Sequence, residues 1–382
     1  MISSTCLYKR SLARSPSFLS TSLLHSTLQQ HHIIYPTYRG YASRSSSPKT
    51  HSRPPSSAQP ITSTVPSTSS IATTSLADDV NPPPSTRPAD LNLPDQVSPS
   101  AATADKLKRY VTMGRAYLSF YKTGLKNVYH NYRASLPLRR SLGLTAYFPV
   151  SPPPAPPPSS VRGPKNGTAF HKAVESVNMS RSNFQLVRRA AYDVRRMIPF
   201  TLILIVCGEM TPLAVLAFGN AVTPYTCRVP RQLEKDRMQR LARKHAALVA
   251  HQAATGGSVT PPKTGSDQEL DLLAKRYAHL DWVESASTDE ILRACAVLNL
   301  VKTHVRPAGL ASLYRARLRR YLEYLSLDDR LLRQGGGVAA LEAAEVRIAV
   351  EERGGVGVAE GKEGWDAERD RRRWLEKWLE RR

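Results

Sequence analysis

The chain has 382 residues, with 54 Lys and Arg against 31 Asp and Glu and a formal net charge of +23. Stretches dominated by Ser, Thr and Pro leave less globular mass than the length suggests, and the charge suits a polyanionic partner, either anionic lipid or RNA. Cys6, Cys207, Cys227 and Cys295 lie too far apart for a CxxC metal or redox motif or a disulfide framework.

The opening residues, 1 to 44, are rich in Arg and Ser, and residues 1 to 77 hold seven Lys or Arg and no acid. Leucines are spread through the segment without a continuous apolar core, the composition of a mitochondrial transit peptide rather than a secretory signal. Residues 45 to 104 continue Ser-, Thr- and Pro-rich and read as a disordered tether.

Residues 105 to 148 place Leu107, Tyr110, Val111, Tyr117, Leu118, Tyr121, Leu125, Val128 and Tyr132 at largely helical spacings between Lys and Arg. The pattern predicts one or two basic amphipathic helices. Tyr beside Lys and Arg suits a membrane interface, and a helix packed on the rest of the protein suits the same pattern. The Pro-rich run at 149 to 166 cannot be helical and reads as a stiff linker.

The membrane-span region, 178 to 226, contains the most apolar run of the chain, IPFTLILIVCGEMTPLAVLAFGNAV, residues 198 to 222. At about 1.5 Å per residue, the twenty residues from Ile198 to Ala217 cover a hydrocarbon core of roughly 30 Å. Ten Leu, Ile, Val and Phe side chains contribute about −3 to −6 kcal/mol on an insertion scale, and the central carboxylate of Glu209 costs about 2.5 to 3.5. A span over about 198 to 218 is therefore expected, with a core helix as its competitor. Pro212 would free a backbone carbonyl near Gly208 and make a polar pocket beside Glu209. A single span makes no transport path, so ion exchange there would require a homo-oligomer.

A basic helix is expected over 228 to 254, as a short coiled coil or a solvated helix. A helical domain follows at 266 to 382. Ser266 with Glu269 and Ser287 with Glu290 fit capping boxes. A helix from near Pro307 carries Leu310, Leu313, Tyr314, Leu318, Tyr321, Leu322 and Leu325 on one face, with Arg315, Arg317, Arg319 and Arg320 on the rest. Asp328 and Asp329 read as the cap of a next helix. The chain closes with Trp374, Leu375, Trp378 and Leu379 on one stripe. Nothing alternates as strands should, so the fold class is all-α: a disordered N-terminus, a single transmembrane helix and a small helical bundle.

The basic helix, then RRMIPFTLILIVCGEMTPLAVLAFGNAVTPYT, then a basic helix, STDEILRACAVLNL and LRRYLEYLSLDDRLLRQGGGVAALEAAEVRIAVEERG closely resemble the LETM family of mitochondrial inner-membrane proteins, from about residue 105 onward. The resemblance implies one inner-membrane span and a matrix-facing helical domain similar to 14-3-3 proteins that binds mitochondrial ribosomes. It also implies roles in membrane protein biogenesis and ion homeostasis. A potassium/proton or calcium/proton antiporter, or a subunit of one, is the alternative. The family's intramembrane Glu and Pro correspond to Glu209 and Pro212, and the Pro before the span to Pro199. No DxDxDG loop is present, so the calcium-binding EF-hand of longer members is missing.

Guanidinium groups pair bidentately with phosphate, which makes Arg315, Arg317, Arg319 and Arg320, followed by Arg371, Arg372 and Arg373, the candidates for contact with ribosomal RNA or protein. A solvated, ion-paired face is the competing reading of the same arginines. An enzyme is the least expected class. The sequence holds no catalytic set, metal-ligand spacing or cofactor motif, and Gly335 to Gly337 lack the strand and the Lys or Ser of a nucleotide loop.

Overall fold

A computed structural model describes residues 77–96, 98, 102–145, 150–154, 167–207, 223–256, 260–305 and 311–382. The expected transit peptide, most of the tether and most of the Pro-rich linker fall outside these residues. Regular structure among the described residues is helical, without strands. The helices are α1 (Thr103–Ser141), α2 (Gly167–Ser176), α3 (Arg181–Cys207), α4 (Pro230–Ala254), α5 (Asp267–Asp271), α6 (Leu280–Ser285), α7 (Thr288–Val297), α8 (Ala311–Gln334), α9 (Ala343–Glu352) and α10 (Gly364–Arg381). Helix α5 passes into a π-helical turn, Leu272–Tyr277.

Helix α1 is a single helix of 39 residues that runs through Pro137. It lies along α3; α4 packs on α7, α9 on α10, and α8 on α6 and α7. Segments that composition divides share one apolar core, which takes in Val80, Leu142, Phe184, Leu248, Leu273, Leu322, Val346 and Trp378. Helix α8 buries the expected face through Tyr314, Leu318, Leu322 and Leu325, while Leu313 stays exposed.

The cap residues act as half-boxes. Ser266 Oγ accepts from the Glu269 amide and Ser287 Oγ from the Glu290 amide, each at 3.3 Å. The carboxylates turn elsewhere: Glu269 pairs with Lys244 at 2.8 Å and accepts from the Gly265 amide, and Glu290 pairs with Arg276.

Asp328 and Asp329 correct a sequence expectation. They do not cap a helix; both lie within α8 and are buried. Asp328 accepts from Arg181 Nε at 2.8 Å, from Arg353 at 2.7 Å and from Gln185 Nε2 at 2.7 Å. Asp329 accepts from Arg353 Nε at 2.9 Å and from Trp378 Nε1 at 3.2 Å. Arg181 and Arg353 are themselves almost fully buried, so the cluster exchanges its hydration for fixed, charge-assisted bonds. Gly354 at φ +84° reverses the chain after α9, and the Gly355 amide closes that turn on the Val350 carbonyl at 2.9 Å. This turn sets Arg353 at the helix end facing the two aspartates.

Residues 77 to 87 also depart from the tether expected across 45 to 104. Val80 is fully buried and Thr86 nearly so. A Cβ built on Gly335 would collide with the Val80 side chain, so the glycine leaves room for this segment. Arg181 donates to the Val80 carbonyl at 2.9 Å, Asn81 bonds both the Ala340 carbonyl and the Glu342 amide, and Arg189 pairs with Glu345 at 2.8 Å beside Thr86.

Burial by itself would raise the Asp328 pKa, but the Arg181 and Arg353 guanidiniums and their bonds hold it well below the usual carboxylate range. Its native value lies below its unfolded one, so its contribution is complete above about pH 4 and is lost as pH falls further. Asp328→Asn should cost about 3–5 kcal/mol at neutral pH, since it leaves buried guanidiniums under-paired. The variant's thermal midpoint should also fall less steeply than wild type between about pH 4 and pH 2. Parallel acid limbs in the two proteins would refute the depressed carboxylate.

Candidate functional site

Helix α3 changes character along its length. Its first half is core, with Phe184, Val187, Ala190 and Ala191 buried; from Ile198 onward large aliphatic side chains face outward, with Ile198, Leu202, Ile205 and Val206 exposed by 58, 60, 77 and 74%. Pro199 sits inside the helix, where it removes the bond its N–H would make to the Arg195 carbonyl. Glu209 and Pro212 lie outside the described residues. No helix among the described residues is long and apolar enough to cross a membrane.

The chain returns to the body at Thr223. Asp193, on the buried half of α3, accepts from the Tyr225 amide at 2.6 Å, and Arg228 donates to Tyr192 Oη at 3.0 Å. The 3₁₀ turn Tyr225–Cys227 also seats against α1, where a Cβ on Gly124 would come within 2.8 Å of Cys227 Sγ. Burial raises the Asp193 pKa, opposed by its bonds to Tyr225 and Thr226 and by Arg228. Burial pushes the Cys227 thiol up to about 11, so it packs rather than reacts.

These contacts constrain the apolar run. Helix α3 carries the chain about 21 Å from Asp193 to Cys207, and Tyr225 is back beside Asp193. A straight crossing by residues 198 to 218 would separate its ends by roughly 30 Å, too far for the few residues up to Tyr225 to recover. The two flanks of the run, at Asp193 and Tyr225, meet on one face of the body, and residues 208 to 222 between them lie outside the described residues. The signal in the sequence was Asp193, the lone acid in RRAAYDVRR.

The candidate arginines divide by what they touch. Arg315 donates to the Val283, Glu284 and Ala286 carbonyls at the end of α6. Arg317 donates to the Leu300 carbonyl, and Arg319 pairs with Glu284 at 3.3 Å and Glu323 at 3.4 Å. Arg372 bonds the Val338 and Leu341 carbonyls and pairs with Glu368. Arg371 is half-buried. Arg320 and Arg373 are exposed. Arg320 lies near enough to Arg195 for the two to repel, and Arg373 lines a groove of about 780 Å³ with Lys263, Trp374 and Lys377. The seven residues lie on two helices, four on α8 and three on α10.

No group of His, Cys, Asp and Glu among the described residues is arranged to hold a metal ion. No protein-family profile, curated protein or solved structure matches the chain.

The division of labour among the arginines is measurable. Arg315→Ala should destabilise the protein by about 1–3 kcal/mol, because the carbonyls ending α6 lose their donor. Arg320→Ala should change stability by less than about 0.5 kcal/mol. Thermal unfolding of the two variants side by side reads the difference, and equal midpoints would contradict it.

Proposed function

We propose that the chain is a mitochondrial inner-membrane protein whose matrix-facing helical body, arranged as in 14-3-3 proteins, binds mitochondrial ribosomes and so supports membrane protein biogenesis and ion homeostasis. The observation that carries membrane attachment is the end of α3: four large aliphatic side chains in three turns stand in the open. A face of this kind marks a membrane or partner contact. The flanks of the apolar run meet at Asp193 and Tyr225, and on this reading the run attaches the body from one side of the bilayer.

The ribosome reading is supported by the order of motifs that resembles the LETM family and by a positive excess that suits rRNA phosphate. Arg320 and Arg373 are its best-placed contacts, since neither is spent on the fold. Arg315, Arg317 and Arg372 brace the body that presents them.

Sedimentation of detergent-solubilised mitochondria at low salt tests this function. The chain should travel with ribosomes, and Arg320→Ala with Arg373→Ala should weaken that association about tenfold per arginine while leaving the thermal midpoint unchanged. A chain that never sediments with ribosomes at low salt removes the reading.

A further inference from the structure

Helix α1 buries Phe120, Gly124, Val128, Asn131, Ser135 and Arg139 against the body. At about 100° per residue, the opposite side of the helix holds Lys108, Arg115, Lys122, Lys126, Arg133 and Arg140 within an arc of about 40°. The row is about 48 Å long. All six side chains are exposed, and none forms an ion pair with another described residue. The sole acid of the helix, Asp105, sits in its first turn.

A second row adjoins the first. Leu107, Val111, Leu118, Leu125 and Tyr129 occupy the next arc of about 40° along the same helix, exposed by 65, 49, 70, 37 and 56%. The Arg133 guanidinium lies 5.9 Å from the Tyr129 ring centroid, so the two rows touch. Cations alone would suit any polyanion. Five exposed apolar side chains beside them gain nothing against a phosphodiester backbone in water, whereas a bilayer surface receives both rows: aliphatic groups at the acyl boundary, tyrosine at headgroup depth and cations on lipid phosphate.

We propose that this outer face of α1 is a docking surface for an anionic phospholipid leaflet, with the helix lying in the plane of the headgroups. The surface goes beyond attachment through the apolar run and is independent of it, since an anionic leaflet recruits this face whether or not residues 198 to 222 enter a bilayer. Each cation near such a leaflet contributes about 1 kcal/mol, roughly a fivefold change in partition. The leaflet then discriminates by headgroup charge, and salt releases it.

The test places a nitroxide at Leu118→Cys in the full chain, with Cys6→Ser and Cys207→Ser leaving the buried Cys227 and Cys295 in place. The label's exposure to oxygen and to a water-soluble nickel chelate is read with phosphatidylcholine vesicles, with and without phosphatidylglycerol. The expected result is immersion only where phosphatidylglycerol is present, reversed by salt. Lys122→Gln with Lys126→Gln should lower the immersed-to-free ratio about thirtyfold.

A label that stays in water on a chain embedded in both kinds of vesicle overturns the proposal and leaves attachment through the run intact. A chain that binds only anionic vesicles, with its label immersed, upholds the proposal and removes that attachment. A label wet on anionic vesicles yet immobilised by duplex RNA overturns the lipid assignment in favour of nucleic acid.

Discussion

The fold depends on the buried pairing of Asp328 and Asp329 with Arg181 and Arg353. Four groups of opposite sign, each nearly or wholly out of water, hold α3, α8 and α9 at one point, and Trp378 brings α10 to the same aspartates. Such a cluster adds little net stability over an apolar replacement, but it tolerates no partial assembly, because any one charge left alone would be costly. Arg181 uses a further donor on the Val80 carbonyl, so the ion cluster also helps to hold the segment before α1.

With the first half of α3 fixed in this way, the position of its apolar end follows. Asp193 lies three turns beyond Arg181 on a rigid helix, and its bond to the Tyr225 amide brings the returning chain back to the body. Gly124 of α1 then packs against Cys227, which turns the cation row of α1 away from the core. A charge cluster in the centre thus decides which faces are left for partners: the bare end of α3 and the outer side of α1.

Local signals in the sequence were legible where short-range physics decides. Ser266 and Ser287 accept from the amides three residues on, and the Trp374, Leu375 and Trp378 stripe is buried. Long-range pairings were not legible. Asp328 looks like a cap because adjacent acids beside Arg330 usually are one, and its partner Arg181 is 147 residues away. Composition concealed the docked segment at 77 to 87, where Val80, Asn81, Ser85, Thr86 and Arg87 anchor it amid prolines. The contact that brings the flanks of the run at 198 to 222 together, Asp193 with the Tyr225 amide, lies in polar atoms outside the run, where hydropathy, which counts length and apolarity, does not register it. Among the arginines, charge alone could not separate Arg315, spent on carbonyls, from Arg320, which faces solvent.

The proposed placement of both flanks on one side of the membrane is tested most directly by protease protection in mitoplasts. One epitope would be inserted after Pro154, ahead of the apolar run, and a second fused to Arg382. Both epitopes should survive protease in intact mitoplasts and be cut together once detergent opens the inner membrane. Loss of the first epitope while the second survives would mean that the run crosses the bilayer, and would contradict the meeting of Asp193 with Tyr225.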